Sequence, residues 1–257
     1  MGGRPVFEPS AAAEGSSGWP LVGLAHGSRH SGVRASIDAL MRAASAGGGM
    51  PAVGAYLDLV EPDLTAVARR LAADGHRRAV VTPLLFTEAF HATVDVPQAV
   101  AEASAASGVD LLVSDILGTG DDVLQVVQQS MHQAGIGPEH SVLLISVGSS
   151  TAAANDAVYA FAERLRRGRS GQVAAAFGTR SPRVADVAPR LAEPVAIVPL
   201  FLSPGLLLDP LVALAAERGM TMAAPLGTLA APVVVDRYRQ ALQARRRTGV
   251  SHARELD

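Results

Sequence analysis

The chain repeats itself over almost its whole length, and that repeat constrains the fold more than any compositional figure. The segment SVLLISVGSS (141–150) echoes LVGLAHGS (21–28) at an offset of 121 residues. VAAAFGTRSPRVADVAPRL (173–191) echoes VGAYLDLVEPDLTAVARRL at an offset of 120, with Pro182 on Pro62 and Leu191 on Leu71. VPLFLSPGLLLDP (198–210) answers TPLLFTEAFHATVDVP (82–97), and PLGT (225–228) answers ILGT (116–119). Four matched segments in one order read as two copies of a single module.

Within each copy, short apolar runs alternate with longer amphipathic stretches, the signature of repeated β-α units. In the first copy the strands read as LVGLA (21–25), AVGAYLD (52–58), RAVVTPLLF and VDLLVSD. The intervening helices read as 31–44, one starting near Pro62 and ending at Asp74-Gly75, about 95–106, and 119–134. A proline in the first turn fits, because its missing N–H would be unpaired there anyway. A last helix is expected over about 230–246. Hydrophobic residues make up 49% of the chain and aromatics 4%, so its core has to be built from Ala, Val and Leu. That suits helices laid on buried parallel strands. The expected fold is α/β, with two tandem four-stranded parallel modules flanked by helices and facing each other across a cleft. The expected division is a flexible tail (1–19), an N-terminal module with the active site (20–134), a degenerate C-terminal module (135–246) and a polar tail (247–257).

Charge and residue types exclude several classes. Twenty-two basic residues against 24 acidic ones leave a formal charge of −2, no general field for nucleic acid. Cysteine is absent, which removes disulfides and thiolate metal sites, so any metal falls to His and carboxylate. No apolar run reaches the roughly 18 residues of a membrane span, and the N-terminus lacks the apolar core of a signal peptide. A cytoplasmic monomer, with both modules fused in one chain and no membrane partner, is the expectation.

The copies differ where chemistry concentrates. His26 becomes Val147, Asp58 becomes Gly178, Glu61 becomes Ser181 and, with Asp209 matched to Asp95 across a small deletion, His91 becomes Leu207. If these groups served packing, both copies would need them; their restriction to one points to a single site. Histidines at the carboxyl ends of parallel strands stand where open α/β sheets bind ligands. His26 and His91 with Asp58 or Glu61 make a mixed N/O set for a borderline divalent ion, open to substrate. The imidazoles are equally candidate general bases. Plainer roles stand beside these: Gly27-Ser28 as a turn and helix cap, Glu61 as a first-turn acid, Arg29 and Arg34 as surface charge. His30, His76, His132, His140 and His252 read as solvated, as do Arg164, Arg166, Arg167 and Arg169 on a helix face. Gly27-Ser28 could also cradle a phosphate, although no glycine-rich phosphate motif follows the first strand.

With LVGLAHGS, YLDLVEP and TPLLFTEAFHATVDVP together, the sequence resembles the sirohydrochlorin chelatases over roughly residues 20–240. It looks closest to their two-module actinobacterial forms. The resemblance implies insertion of Fe²⁺ or Co²⁺ into sirohydrochlorin, in siroheme or cobalamin biosynthesis, with the metal as substrate and no organic cofactor. It implies His26 and His91 as the residues acting at the metal and the pyrrole nitrogens. Asp58 and Glu61 fall on the family's acids, and Ser28, Arg29, Thr87 and Phe90 are the implied substrate contacts. Two departures stand out: Asp58 is one methylene shorter than the usual Glu, and Glu88 and Thr93 replace residues that are often basic. A carrier of tetrapyrrole or metal, without turnover, is the non-catalytic alternative.

Overall fold

The computed structural model describes residues 18–88 and 94–254. The first copy supplies β1 (Leu21–Ala25), β2 (Ala52–Tyr56), β3 (Arg78–Pro83) and β4 (Asp110–Val113), in the order β2-β1-β3-β4. The second supplies β5 (Ser141–Ser146), β6 (Val173–Phe177), β7 (Val195–Pro199) and β8 (Thr221–Met222), in the order β6-β5-β7-β8. Every pairing is parallel. The helices are α1 (Gly32–Gly48), α2 (Leu64–Ala73), α3 (Val96–Ser107), α4 (Asp121–Gln133), α5 (Ala152–Arg166), α6 (Val184–Val187), α7 (Asp209–Arg218) and α8 (Ala231–Arg254). None is long and apolar enough to cross a membrane, among the described residues.

Strand residues alternate between two cores, as the pleat requires. Val22, Leu24, Ala79 and Val81 point outward beneath α2 and α3, and Leu143, Ile145 and Ile197 do so beneath α7. Leu21, Val80, Val142, Leu144 and Val198 point the other way, into one continuous core shared by both copies. Helices α1, α4, α5 and α8 fill it through Ile37, Leu40, Val127, Met131, Phe161 and Val234. Aliphatic residues dominate all three clusters, as the low aromatic content demands.

The last helix of each copy packs on the other copy. Helix α8 lies against α1 and β3 of the first, and α4 against α5 of the second. Polar clamps fix the exchange. Arg237 donates to the carbonyls of Ile116 (2.9 Å) and Leu117 (2.6 Å) and meets Asp122 at 2.7 Å. Tyr238 donates its hydroxyl to the Trp19 carbonyl (2.7 Å), and the guanidiniums of Arg78 and Arg245 both lie over the Trp19 ring, 5.4 and 5.8 Å from its centroid.

Several boundaries differ from the sequence reading. Helix α1 continues through Gly47 and Gly48 and stops where Gly49 takes a left-handed turn at φ 73°. Helix α2 starts at Leu64, not Pro62, because the Asp63 carboxylate accepts the N–H of Ala66 at 2.6 Å and caps it. The counterpart of α2 shrinks to α6 and a short 3-10 turn, Ala188–Arg190, since Pro189 replaces Arg69 and cannot continue an α-helix. Helix α8 runs to Arg254, past the expected end at Arg246, with only Gly249 to weaken it.

Register also corrects the alignment of the copies. Val22 pairs with Val53 and Leu143 with Ala174, so the strands repeat at an offset of 121 residues and the one-residue deletion falls in the loop before Pro182. Asp58 therefore corresponds to Thr179, not Gly178, and Tyr56 to Phe177.

That last pairing isolates a single hydroxyl. Tyr56 is 1% exposed, and its OH is buried with no hydrogen-bond partner among the described residues. Burial, and secondarily the Asp38 carboxylate, push its pKa up to about 12. A phenol raised above its unfolded value of 10.0 contributes fully below that pH and is lost as pH climbs toward about 12. Phe177 fills the equivalent place without the oxygen. Tyr56→Phe is expected to gain about 1 kcal/mol at neutral pH and to remove about 2–3 kcal/mol of alkaline destabilisation. Urea melts of both proteins at pH 7 and pH 11.5 check this; a variant weaker at neutral pH would show that the hydroxyl is engaged.

Candidate functional site

In each sheet the chain turns one way from the first strand to the second and the other way to the third. The switch point lies between β1 and β3 in the first copy, where open α/β folds bind ligands. His26 leaves the end of β1 at that point, half-buried, with Nδ1 its buried nitrogen. The loops after β1 and β2 are laced together: Leu57 N–H donates to the Ala25 carbonyl (2.9 Å) and Asp58 N–H to the His26 carbonyl (3.0 Å). This crossing explains the glycine after His26. Gly27 has φ 97°, and a Cβ there would stand 1.9 Å from the Asp58 carbonyl oxygen.

The rest of the β1–α1 loop is held by side chains. Ser28 Oγ accepts the N–H of His30 (3.2 Å), and His30 Nδ1 accepts that of Gly32 (3.0 Å), so His30, not Ser28, serves the start of α1. With Nδ1 accepting, the ring proton is on Nε2, which faces Asp209 Oδ1 of the second copy at 3.6 Å. His30 is thus half-buried between the copies, not solvated. Beside it, a Cβ on Gly32 would stand 2.9 Å from Pro204 Cγ, so the β1–α1 loop abuts the β7–α7 loop.

The carboxylates crowd the next loop. Asp58 is exposed and its Oδ1 accepts the N–H of Leu59 at 2.7 Å, while exposed Glu61 accepts that of Asp63 at 3.3 Å. Between them Leu59 takes φ 66°, uncommon for a leucine, with its side chain 47% exposed. Thr87 is half-buried after β3, Arg29 is exposed, and Arg34 pairs with Asp38 at 3.9 Å on α1. His91 and Phe90 lie outside the described residues. Topology brings His26, Asp58 and Glu61 to one end of the sheet. Their side chains do not close into a ligand set there, and no three His, Asp or Glu gather to hold a metal among the described residues.

At the matching end of the second sheet the polarity reverses. Val147 replaces His26 and is 45% exposed, and Thr179 turns its hydroxyl to the Val147 carbonyl at 2.8 Å. Arg180 stands for Val60 and Arg183 for Asp63. Leu207 closes over this end, with its Cδ1 3.1 Å from where a Cβ on Gly178 would be. Sequence inspection overlooked both arginines, although the shared proline marks their positions.

Other residues read as solvated have structural work. Arg164 bonds to the Thr119 carbonyl and to Asp121 of α4 (3.1 Å), stacking over Phe161. Arg169 donates to the Gly137 carbonyl (2.6 Å), and His140 Nδ1 accepts the Gly137 N–H (3.2 Å). Arg166 and Arg167 are exposed as expected.

A family model described as CbiX matches the chain twice, over residues 20–134 and 141–241. The sirohydrochlorin cobaltochelatase of Sulfurisphaera tokodaii is 27% identical over 86 residues, which is 30% of this chain and 69% of that one. Among solved structures, SirB from Bacillus subtilis with Fe³⁺ has the same fold, with TM-score 0.73 at 21% identity over 87% of this chain and 95% of that one. SirB from Bacillus subtilis subspecies spizizenii in complex with cobalt gives 0.71 at 20% identity, over 87% and 94%. CbiX, described as the terminal enzyme for biosynthesis of siroheme in denitrifying bacteria, gives 0.63 at 19% identity, over 88% and 98%.

Proposed function

The chain belongs to the CbiX family, and from that premise we propose that it inserts a divalent metal, Fe²⁺ or Co²⁺, into sirohydrochlorin. The observation that carries this reading is His26 at the β1/β3 switch point, beside a loop of carboxylates that only the first copy retains. Names of relatives support it: one is a sirohydrochlorin cobaltochelatase, and SirB has been solved with iron and with cobalt.

The site's chemistry is asked to do two things. Sirohydrochlorin must lose two pyrrolic N–H protons, and the ion must enter from one face of the ring. In this reading the ion is held by His26 and His91, with Asp58 or Glu61 adding negative charge as the ion sheds water. Proximity then replaces a bimolecular encounter, and the carboxylate not engaged with the metal, or an imidazole once the ion has passed to the ring, takes the departing protons. Ser28, Arg29, Thr87 and Phe90 would contact the macrocycle. In the sequence His91 follows β3, the strand that pairs with β1. The counterpart assigned to it, Leu207, packs over Gly178 at the end of β6. The first module (20–134) would carry the chemistry, and the second (135–246) would form the opposing wall of the cleft.

The test is an anaerobic absorbance assay of the purified chain with sirohydrochlorin and each ion in turn. Turnover beyond one product per protein, with free metallated tetrapyrrole released, is expected for Fe²⁺ or Co²⁺. Stoichiometric binding without release would make the protein a carrier, and whichever ion gives the higher kcat/KM indicates siroheme or cobalamin as the product's destination.

A further inference from the structure

We infer that Arg180 and Arg183, in the β6–α6 loop of the second copy, bind the peripheral carboxylates of a tetrapyrrole whose metal is delivered from the first copy. The inference rests on the function proposed above and adds a recognition site to it. Its first support is an inversion of charge between corresponding loops. The β2–α2 loop carries Asp58, Glu61 and Asp63 and no cation; the β6–α6 loop from 178 to 183, GTRSPR, carries two guanidiniums and no acid. Both loops leave equivalent strand ends and share the proline before the helix.

The second support is how the arginines are held. Arg183 donates to the Gly178 carbonyl (2.7 Å) and the Thr179 carbonyl (3.2 Å), and Arg180 to the Ser149 carbonyl. Both are exposed, and among the described residues neither guanidinium has a carboxylate within 4.0 Å; the nearby Asp186 carboxylate is taken by the Arg183 backbone N–H at 2.8 Å. Arg183 also precedes a helix N-terminus, where Asp63 caps in the first copy and where a cation gains nothing from the backbone dipoles. Backbone carbonyls thus orient two forked cations without neutralising them, leaving N–H groups for a bidentate carboxylate partner.

Location is the third support. Leu207 packs on Gly178, and the same β7–α7 loop meets the β1–α1 loop through Pro204 and through Asp209 facing His30. A continuous run of contacts therefore joins the arginine loop to the loop that begins at His26. In this reading the ring's acetate and propionate arms face the basic edge while its metal comes from the acidic one. The second copy, having lost the metal-side groups, supplies this basic edge.

The experiment measures fluorescence-detected binding of metal-free uroporphyrin, an octacarboxylate tetrapyrrole, to the full chain. Proteins compared are wild type, Arg180→Gln, Arg183→Gln, the double variant, Arg183→Lys, and Arg218→Gln as a distant control. Glutamine keeps hydrogen-bond donors for the loop carbonyls while removing the charge. Each single variant is expected to weaken Kd about fivefold at low salt and the double about twentyfold, with the gaps closing near 1 M NaCl. Arg183→Lys should recover most of the loss, and Arg218→Gln should match wild type. An unchanged Kd in the double variant, or a loss that salt does not diminish, overturns the inference. If wild type binds uroporphyrin with this arginine dependence but inserts no metal into sirohydrochlorin, the chelatase reading falls and the carboxylate site stands. If wild type turns over while the variants keep its Kd and KM, the reverse holds.

Discussion

Ending the chain before Ala231, so that α8 is lost, is expected to leave neither copy folded. Within α8, Ala231, Val233, Val234, Val235, Tyr238 and Ala241 are all at most 9% exposed and belong to the shared core, in a helix that packs on the first copy's α1 and β3. Their burial contributes roughly 9 kcal/mol on side-chain transfer values, comparable to the whole net stability of a typical domain. The loss also strips Arg237 from the carbonyls of Ile116 and Leu117 and from Asp122, leaving polar groups at the junction without their cation. Because one core runs through both copies, the second cannot close without the helices it shares with the first. Far-UV circular dichroism and size exclusion check this; a truncated chain that melts cooperatively near the full-length temperature would mean the exchanged helix only decorates the surface. Arg237→Ala is the milder version, expected to cost about 2–4 kcal/mol.

The helix exchange was not legible in the sequence, and the reason is general. Amphipathic spacing in APVVVDRYRQAL says that one face is buried, but says nothing of which sheet covers it. Strand positions were legible because buried parallel strands are continuous apolar runs: LVGLA is β1 to the residue. Helix starts were less so, since Pro62 and Asp63 both carry N-terminal signals and only the carboxylate's reach to Ala66 decides between them. The same limit governed the alignment of the copies. Pro62 and Pro182 anchored one offset, while the ladder register required another for the strands before them, which moved Asp58 onto Thr179. In the site, His26 and the acidic loop stood out because the second copy lacks them. His30 did not, because its neighbour Asp209 is far away in the chain and a contact of that range leaves no local pattern.

His26→Ala and His91→Ala should each lower the rate of metal insertion by about 10³-fold or more, the two largest activity effects expected of single substitutions in this chain. In the proposed reading each imidazole presents the ion to the ring, so removing one takes away the proximity on which insertion depends. The double variant should then lose little more than either single one, as groups acting as a unit do. The His26 change should not unfold the protein, because Val147, in the position corresponding to His26, shows that this strand end accommodates an apolar side chain. Asp58→Asn and Glu61→Gln should separate the carboxylates. The one that helps hold the ion raises the metal concentration needed for half-maximal rate, whereas the one serving only its own loop, through Leu59 or Asp63 N–H, changes melting temperature alone. The discriminating measurement pairs single-turnover insertion with binding of metal-free sirohydrochlorin. Retained binding with lost insertion places the imidazoles at the metal, loss of both moves them to substrate positioning, and normal turnover by His26→Ala removes this end of β1 from the reaction altogether.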